Sequence, residues 1–305
     1  MLETITLFLE LVAMTLVPYA LCSLGIMIGG RTGVFNISGE GIMLMGASTG
    51  FLGAYFAGNS AVGLFLALIV GGCLGLLLAY LTETLKINQF IIGICLYIFG
   101  MGLADLLYKI IIGVQLTPPL VQSLPKILIP GLSQVPVLDA LLNQNALVYL
   151  TYALTPVLYY VLYKTRLGLN TRAVGENPKV ADVVGINVVR TRYTCTMIGG
   201  MLMGLAGAYL PLVFTGTYMP LIAGGRGFMA IGLAIFGSWR PERIFAGSFL
   251  FAGIEVLAFR MQILKIAVPY QFLLMLPFIA VLILMGVFYK RAEFPAAIGS
   301  PYSRE

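Results

Sequence analysis

The chain alternates between long apolar runs and short polar breaks over almost its whole length. A helix that crosses a bilayer needs roughly 20 apolar residues, and runs of that length recur throughout the sequence. The pattern predicts an all-α, polytopic bundle of about eight to ten transmembrane spans that forms one domain over residues 1–305. We place nine spans, at 7–28, 37–57, 61–82, 87–112, 145–163, 193–215, 221–238, 244–259 and 269–289.

The predicted span 221–238 is interrupted by Gly224-Gly225-Arg226-Gly227. Glycine weakens a helix, and three glycines around one arginine favour a turn where the chain enters the membrane. Transporters use such broken or re-entrant segments to build a binding site. An ordinary extracellular turn is the alternative interpretation.

Composition narrows the class of protein. Of the residues, 60% are hydrophobic and 10% are charged, against roughly 25% charged in soluble domains. The sequence has no histidine, which excludes histidine-based catalysis and metal binding. It has no phosphate-binding loop and no hydrolase motif, so we expect neither an enzyme nor a chain that itself binds ATP, a metal or another cofactor. The four cysteines fall inside apolar runs and are expected to be buried and unpaired.

The charges indicate topology rather than a nucleic-acid partner. Most of the 18 basic residues lie in alternate loops, and basic loops face the cytoplasm. We therefore expect a multi-pass protein of a prokaryotic plasma membrane, with its N-terminus outside and its C-terminus in the cytoplasm. Pairs of glycines four residues apart, such as Gly71 and Gly75 or Gly200 and Gly204, predict tight helix packing within the lipid.

Two segments between spans are long. The extracytoplasmic segment 113–142 contains five prolines and is either a connector or a docking surface or cap. In the cytoplasmic loop 164–192, Asn177 and Pro178 form a helix start and Gly185 a helix stop. The short helix between them needs a partner for its valine face, either the membrane surface or a soluble subunit.

Polar residues at membrane depth are costly and need an explanation. Those that we single out as candidates for lining a solute pathway are Asn36, Ser38, Glu40, Asn88, Gln89 and Arg226. Glu40 has the alternative of being hydrated at the interface. Asp105 and Lys109 lie four residues apart and are expected to pair with each other, whereas Glu255 would need a partner from another helix.

Three motifs carry a resemblance to a known family. The stretch from Gly30 to Ala47 (GRTGVFNISGEGIMLMGA) resembles a signature of the permeases of branched-chain amino acid, ribose and nucleoside ABC importers, and is most similar to the nucleoside or simple-sugar branch. A second stretch, Val174 to Asn187, is similar to the family's cytoplasmic coupling segment. The third, Gly224 to Pro241, resembles its GRGF…IFGxWxP motif. The motifs occur in the family's order, although Ser38-Gly39 stands where the family often has a bulkier pair.

The resemblance implies a machine of several subunits. Two permease subunits would form the pore in the lipid, an ABC ATPase in the cytoplasm would use ATP, and an extracytoplasmic solute-binding protein or lipoprotein would deliver the solute. The residues expected to couple to the ATPase are Gly175, Glu176, Asn177, Pro178, Val180, Ala181, Val183 and Gly185.

The small number of charges at membrane depth favours a neutral, hydroxyl-rich solute, with a nucleoside first and a simple sugar second. Two alternatives remain open at this point. One is a branched-chain amino acid permease. The other is an ion-coupled secondary transporter that uses Asp105 or Glu255, although such a carrier has no need of a helix at 178–184.

Overall fold

The computed structural model describes residues 2–115, 117–127, 136–263, 269–288 and 293–302. They form an α-helical bundle, because every long apolar run becomes a helix that satisfies its own backbone hydrogen bonds. In chain order the helices are α1 (Leu2–Gly30), α2 (Gly39–Ala57), α3 (Ser60–Ala79), α4 (Gln89–Ile112), α5 (Pro136–Leu142), α6 (Ala146–Lys164), α7 (Arg166–Glu176), α8 (Pro178–Val183), α9 (Val188–Tyr209), α10 (Arg226–Phe236), α11 (Pro241–Ile263) and α12 (Tyr270–Phe288). A π-helical turn extends α3 over Tyr80–Thr84 and α9 over Leu210–Thr215.

Six helices of the described chain are long and apolar enough to cross a membrane: Thr4–Gly30, Ser60–Thr84, Gln89–Ile112, Ala146–Lys164, Val188–Thr215 and Pro241–Ile263. These six match six of the nine predicted spans and confirm a polytopic helical bundle. The predicted span 244–259 is longer than expected, since α11 has 23 residues. By contrast, the predicted span 221–238 contains only the 11-residue helix α10, which is too short to cross a bilayer.

The core is built around α1 and α9, and glycines let their neighbours approach closely. A Cβ atom added to Gly25 would lie 2.5 Å from the carbonyl oxygen of Gly199, and one added to Gly71 would lie 2.3 Å from that of Gly200. Close contact of this kind replaces the hydrophobic drive that lipid does not provide. The prediction of a glycine-packed bundle is therefore confirmed.

The cysteine prediction is correct only in part. Cys22 is buried and all four cysteines are free, but Cys73 and Cys95 are exposed at the surface of α3 and α4. Both helices have strongly apolar outer faces, which a bilayer or a partner helix would cover. An apolar run in a membrane protein therefore does not identify the buried side of a helix, because the lipid side is equally apolar.

Of the segment 113–142, residues 113–115, 117–127 and 136–142 are described. Its backbone is hydrogen-bonded to the ends of two long helices: Val121 N–H donates to Gly216 O at 2.8 Å, and Ser60 Oγ donates to Gln122 O at 2.5 Å. Lys126 also forms an ion pair with Glu10 of α1. These contacts favour a cap over the ends of the helices rather than a loose connector.

The opposite end of the bundle gathers the loops that were predicted to be cytoplasmic. Arg31 donates from Nε to the carbonyl oxygen of Trp239 at 2.7 Å, and Lys86 donates to that of Tyr302. A Cβ atom on Gly175 would lie 2.1 Å from the Arg31 carbonyl oxygen. The basic loops therefore lie together at one end of the bundle, as the topology requires.

Candidate functional site

Glu40 lies at the start of α2, which begins after a compact turn. The turn is held by Asn36, whose Oδ1 accepts hydrogen bonds from the Ser38 N–H at 2.9 Å and from Ser38 Oγ at 2.6 Å. Asn36, Ser38 and Glu40 are all buried. Because the turn starts the helix at Gly39, the Glu40 side chain is directed into the bundle instead of into solvent.

The carboxylate of Glu40 caps the N-terminus of the half-length helix α10. Its two oxygens accept the N–H groups of Gly225 at 2.7 Å and Gly227 at 2.6 Å. The unpaired N–H groups at a helix start carry a partial positive charge, which stabilises a buried anion. A Cβ on Gly227 would lie 2.4 Å from the Glu40 Cα, so this close approach requires glycine.

The turn before α10 requires glycine for a second reason. Gly224 and Gly225 have φ angles of +59° and +82°, which other residues adopt only with strain. The helix therefore begins at Arg226, after an interruption at the predicted position, and a re-entrant path through the membrane stays a prediction. Discontinuous helices whose ends point at buried polar groups are a common architecture for transport sites.

Arg226 extends from the start of α10 to α11 and forms a polar cluster there. Its Nη2 lies 2.5 Å from Glu255 Oε1, and the hydroxyl of Tyr19 in α1 donates to Glu255 Oε2 at 2.7 Å. The partner of Glu255 thus comes from another helix, as expected. The side chains of Arg226 and Glu255 are 19% and 25% exposed, so this pair is not sealed in the core.

The cluster opens into a cavity of about 540 Å³ between α1, α10, α11 and α12. This volume falls in the usual range for small-molecule sites. Tyr19, Arg226 and Glu255 provide charged and hydroxyl groups, and Phe214, Phe259 and Phe278 provide aromatic surface. The other lining residues are Leu11, Thr15, Gly224, Met229, Val256, Ala258, Gln262, Leu273, Leu274 and Pro277.

The other predicted pathway residues lie away from this cavity. Gln89 is buried and its Oε1 accepts the N–H of Phe35 at 2.7 Å, which fixes the loop that leads to Glu40. Asn88 caps α4 by accepting the N–H groups of Phe90 and Ile91. The structure thus brings Glu40 and Arg226 to one turn and gives Asn36, Ser38, Gln89 and Asn88 hydrogen bonds that order the surrounding backbone. Direct contact of these six residues with a solute stays a prediction.

The sequence did not single out Tyr19, since a tyrosine in an apolar helix is unremarkable. For Glu255 the sequence predicts a partner from another helix or a role in ion coupling, but it does not identify Arg226 as that partner. The expected pairing of Asp105 with Lys109 is wrong. Asp105 instead accepts a hydrogen bond from the Tyr218 hydroxyl at 2.7 Å, because Tyr218 packs over this face of α4.

The predicted coupling segment has the expected local structure. Asn177 Oδ1 accepts the Val180 N–H at 3.2 Å, Pro178 opens α8, and Gly185 follows with a φ angle of +87°. Val180 and Val183 are 58% and 87% exposed, whereas Ala181 is buried. The helix therefore presents an apolar face outward at the same end of the bundle as Arg31 and Lys86.

Comparison with known proteins identifies the relatives of this chain. The family described as "Branched-chain amino acid transport system / permease component" matches residues 8–285. The guanosine ABC transporter permease protein NupQ of Bacillus subtilis is 31% identical over 297 residues, which are 93% of this chain and 92% of that protein. The nucleoside ABC transporter permease protein NupC of Lactococcus lactis is 28% identical over 296 residues, 93% of each chain.

A third relative is TsgC13 of Haloferax volcanii, an ABC transporter permease protein whose name marks its glucose assignment as provisional. It is 35% identical over 252 residues, which are 81% of this chain and 75% of that protein. No solved structure matches this chain. These relatives therefore match this chain over most of their own length.

Proposed function

We propose that this chain, which belongs to the branched-chain amino acid transport system permease family, is the permease subunit of an ABC importer that moves a nucleoside or, second, a simple sugar. The observation that carries the proposal is the cavity beside α10. It combines a charged pair and a phenol with aromatic walls, at a half-length helix inside the bundle. The relatives named as guanosine, nucleoside and glucose permeases support the same solute classes.

The charges of the cavity suit a neutral solute. Arg226 and Glu255 already neutralise each other, and the charge of Glu40 is offset by the start of α10. A strongly ionic solute would need an additional counter-charge at this depth, where unpaired charge is costly. A nucleoside or sugar can instead hydrogen-bond to both members of the pair through its hydroxyls and, for a nucleoside, its base edges.

Both Glu40 and Arg226 belong to the proposed pathway, since Arg226 lines the cavity and Glu40 holds the turn from which α10 starts. An ATPase in the cytoplasm would bind and use ATP, and its movements would open the pathway to the two sides of the membrane in alternation. The exposed valine face of α8 is the surface that we assign to that ATPase, with Gly175, Glu176, Asn177, Pro178, Val180, Ala181, Val183 and Gly185 in the contact segment. A second permease subunit and an extracytoplasmic solute-binding protein complete the importer.

Uptake measurements test the solute. A strain without this permease is complemented with the wild type or with Arg226→Met, and uptake of labelled guanosine, adenosine, ribose, glucose and leucine is compared. We expect wild-type-dependent uptake of nucleosides or sugars and a loss of at least tenfold in the variant. Uptake of leucine alone would move the chain to the amino acid branch, and uptake abolished by an ionophore but insensitive to ATP depletion would favour an ion-coupled carrier.

Topology and docking need separate tests. Reporter fusions at Gly168 and Ser300 should both report the cytoplasm in a prokaryotic plasma membrane, with the C-terminus inside. A cysteine at Val183 should cross-link to the co-expressed ATPase, and a cysteine at the similarly exposed Phe65 of α3 is the matched control that should not. An external signal at either fusion, or no cross-link from any position of 175–187, contradicts these assignments.

A further inference from the structure

Residues 293–302 run beneath the cytoplasmic ends of the helices and connect segments that are distant in sequence. The Ala297 N–H donates to Gly175 O at 2.9 Å, and the Gly299 N–H donates to Gly33 O at 3.0 Å. One short segment thus bonds to the coupling segment on one side and, two residues later, to the loop after α1 on the other. The Phe294 ring also packs edge-on against Trp239.

A fully buried ion pair lies at the place where the 293–302 segment meets the loop after α1, which we call the cytoplasmic junction. The side chains of Arg192 in α9 and Glu83 in the π-helical turn are both 0% exposed, with Arg192 Nη1 2.9 and 3.0 Å from the two carboxylate oxygens. Arg192 also donates from Nε to Thr32 O and from Nη1 to Ser300 O, each at 2.9 Å. One guanidinium therefore joins α9, the end of α3, the loop after α1 and the 293–302 segment.

The side that faces the proposed ATPase is attached to this junction through Tyr302. Tyr302 is buried in a small apolar cluster with Ala181 of α8, Val174 of α7 and Val188 of α9. Its carbonyl oxygen accepts a hydrogen bond from Lys86. Because α8 has only six residues, Ala181 shares any displacement of its exposed face and moves within the cluster that contains Tyr302.

The side that faces the cavity is attached through Gly33. A Cβ on Gly33 would lie 2.9 Å from Ala297 O and 2.8 Å from Arg192 Nη2, so the loop and the 293–302 segment are in direct contact. From Gly33 the chain continues without a helix to Gly39, where α2 begins, and Glu40 then caps α10 beside the cavity. The loop is the shortest covalent route from the cytoplasmic junction to the candidate site.

We infer that the 293–302 segment, together with the buried Arg192–Glu83 pair, transmits movement of the ATPase-facing helix α8 to the loop that positions Glu40. Tyr302 and Arg192 are then positioning residues for transport, although neither contacts the cavity. The inference rests on the proposed function, because it requires an ATPase at α8. It adds a specific mechanical connection, which neither the family match nor the relatives assign.

The test measures the movement at the cavity without any solute. Gln262 lines the cavity and is replaced by cysteine in a chain whose native cysteines are changed to alanine. In the complex with the co-expressed ATPase, the rate of maleimide labelling at this position is compared with and without ATP plus vanadate. We expect at least a fivefold nucleotide-dependent change in the wild-type background and less than a twofold change in Tyr302→Ala. ATPase co-purification and basal ATP hydrolysis should stay within twofold.

Matched variants separate this role from folding. Tyr302→Phe keeps the ring and should retain the response, and Pro301→Ala changes an exposed neighbour in the same segment and should also retain it. If Tyr302→Ala does not fold, Lys86→Met decides the matter: it removes the ammonium group that donates to the Tyr302 carbonyl and should reduce the response two- to threefold, whereas Lys86→Arg should keep the full response. A full nucleotide-dependent labelling response in folded Tyr302→Ala would overturn the inference and leave the proposed function in place. Loss of ATPase binding by this variant would have the same consequence. No nucleotide response in the wild-type background would overturn the proposed function as well.

Discussion

Two arginine–glutamate pairs connect helices in this protein, and they lie in very different surroundings. Arg192 and Glu83 have no exposed side-chain surface, and two backbone carbonyls share the guanidinium. Arg226 and Glu255 lie at the wall of a cavity, and the Tyr19 hydroxyl donates a hydrogen bond to the second oxygen of the Glu255 carboxylate. Two pairs of the same composition therefore have different uses: the sealed pair joins segments of the chain and cannot reach a solute, whereas the open pair can exchange hydrogen bonds with one.

The largest loss of stability is expected when the sealed pair is broken. Glu83→Gln would leave the Arg192 cation buried without a counter-charge, and breaking a buried pair costs about 3–5 kcal/mol. Thermal unfolding of the detergent-solubilised protein, followed by size-exclusion chromatography of heated samples, should show the loss. The exposed Glu242→Gln is the matched control and should melt like the wild type. A Glu83→Gln protein as stable as the wild type would remove the distinction between the two pairs.

A smaller loss of stability is expected when Glu40, whose carboxylate caps α10, is replaced. Glu40→Gln keeps one carbonyl acceptor but loses the charge that faces the start of α10, and hydrogen bonds to charged groups contribute about 1.5–3 kcal/mol. We expect an intermediate drop in thermal stability and a marked drop in uptake, because α10 then starts from a less defined position. Asn59→Asp, which keeps a capping acceptor at the start of α3 and is not a pathway candidate, serves as a control for general damage. Unchanged uptake in Glu40→Gln would show that the cap is structural only.

The open pair should show the reverse balance between stability and activity. In Glu255→Gln the remaining Arg226 charge is partly exposed at the wall of the cavity, so the stability cost should be smaller than that of Glu83→Gln. Uptake should nevertheless fall at least tenfold, because the solute loses a charged acceptor. Measuring melting and uptake on the same preparations tests this. A melting loss equal to that of Glu83→Gln, with uptake preserved, would mean that the two pairs have the same structural role.

The sequence predicts the local structure around the two arginine–glutamate pairs better than it predicts the pairs themselves. Local rules of periodicity, capping and glycine conformation predict the helix bundle, the short helix that Asn177 caps, and the interruption at Gly224 to Gly227. From the sequence, Arg192 is only one of the basic residues of the loop 164–192, and nothing singles out Glu83, because their contact joins two segments that are distant in the sequence. Residue types fix local structure, but only the packing of α1, α3 and α9 determines which polar groups meet.

The smallest effect is expected at Tyr19, which completes the open pair. Tyr19→Phe removes one hydrogen bond to Glu255, a group that Arg226 still neutralises, so the stability change should be about 0.5–1.5 kcal/mol. If the hydroxyl also orients Glu255 toward a solute, the apparent affinity for the solute should weaken two- to fivefold while the maximal rate changes little. Tyr209→Phe is the matched control, because its hydroxyl accepts from Asn145 at 3.2 Å and does not line the cavity. Concentration-dependent uptake by both variants would separate the roles, and equal affinities for the two would restrict Tyr19 to packing.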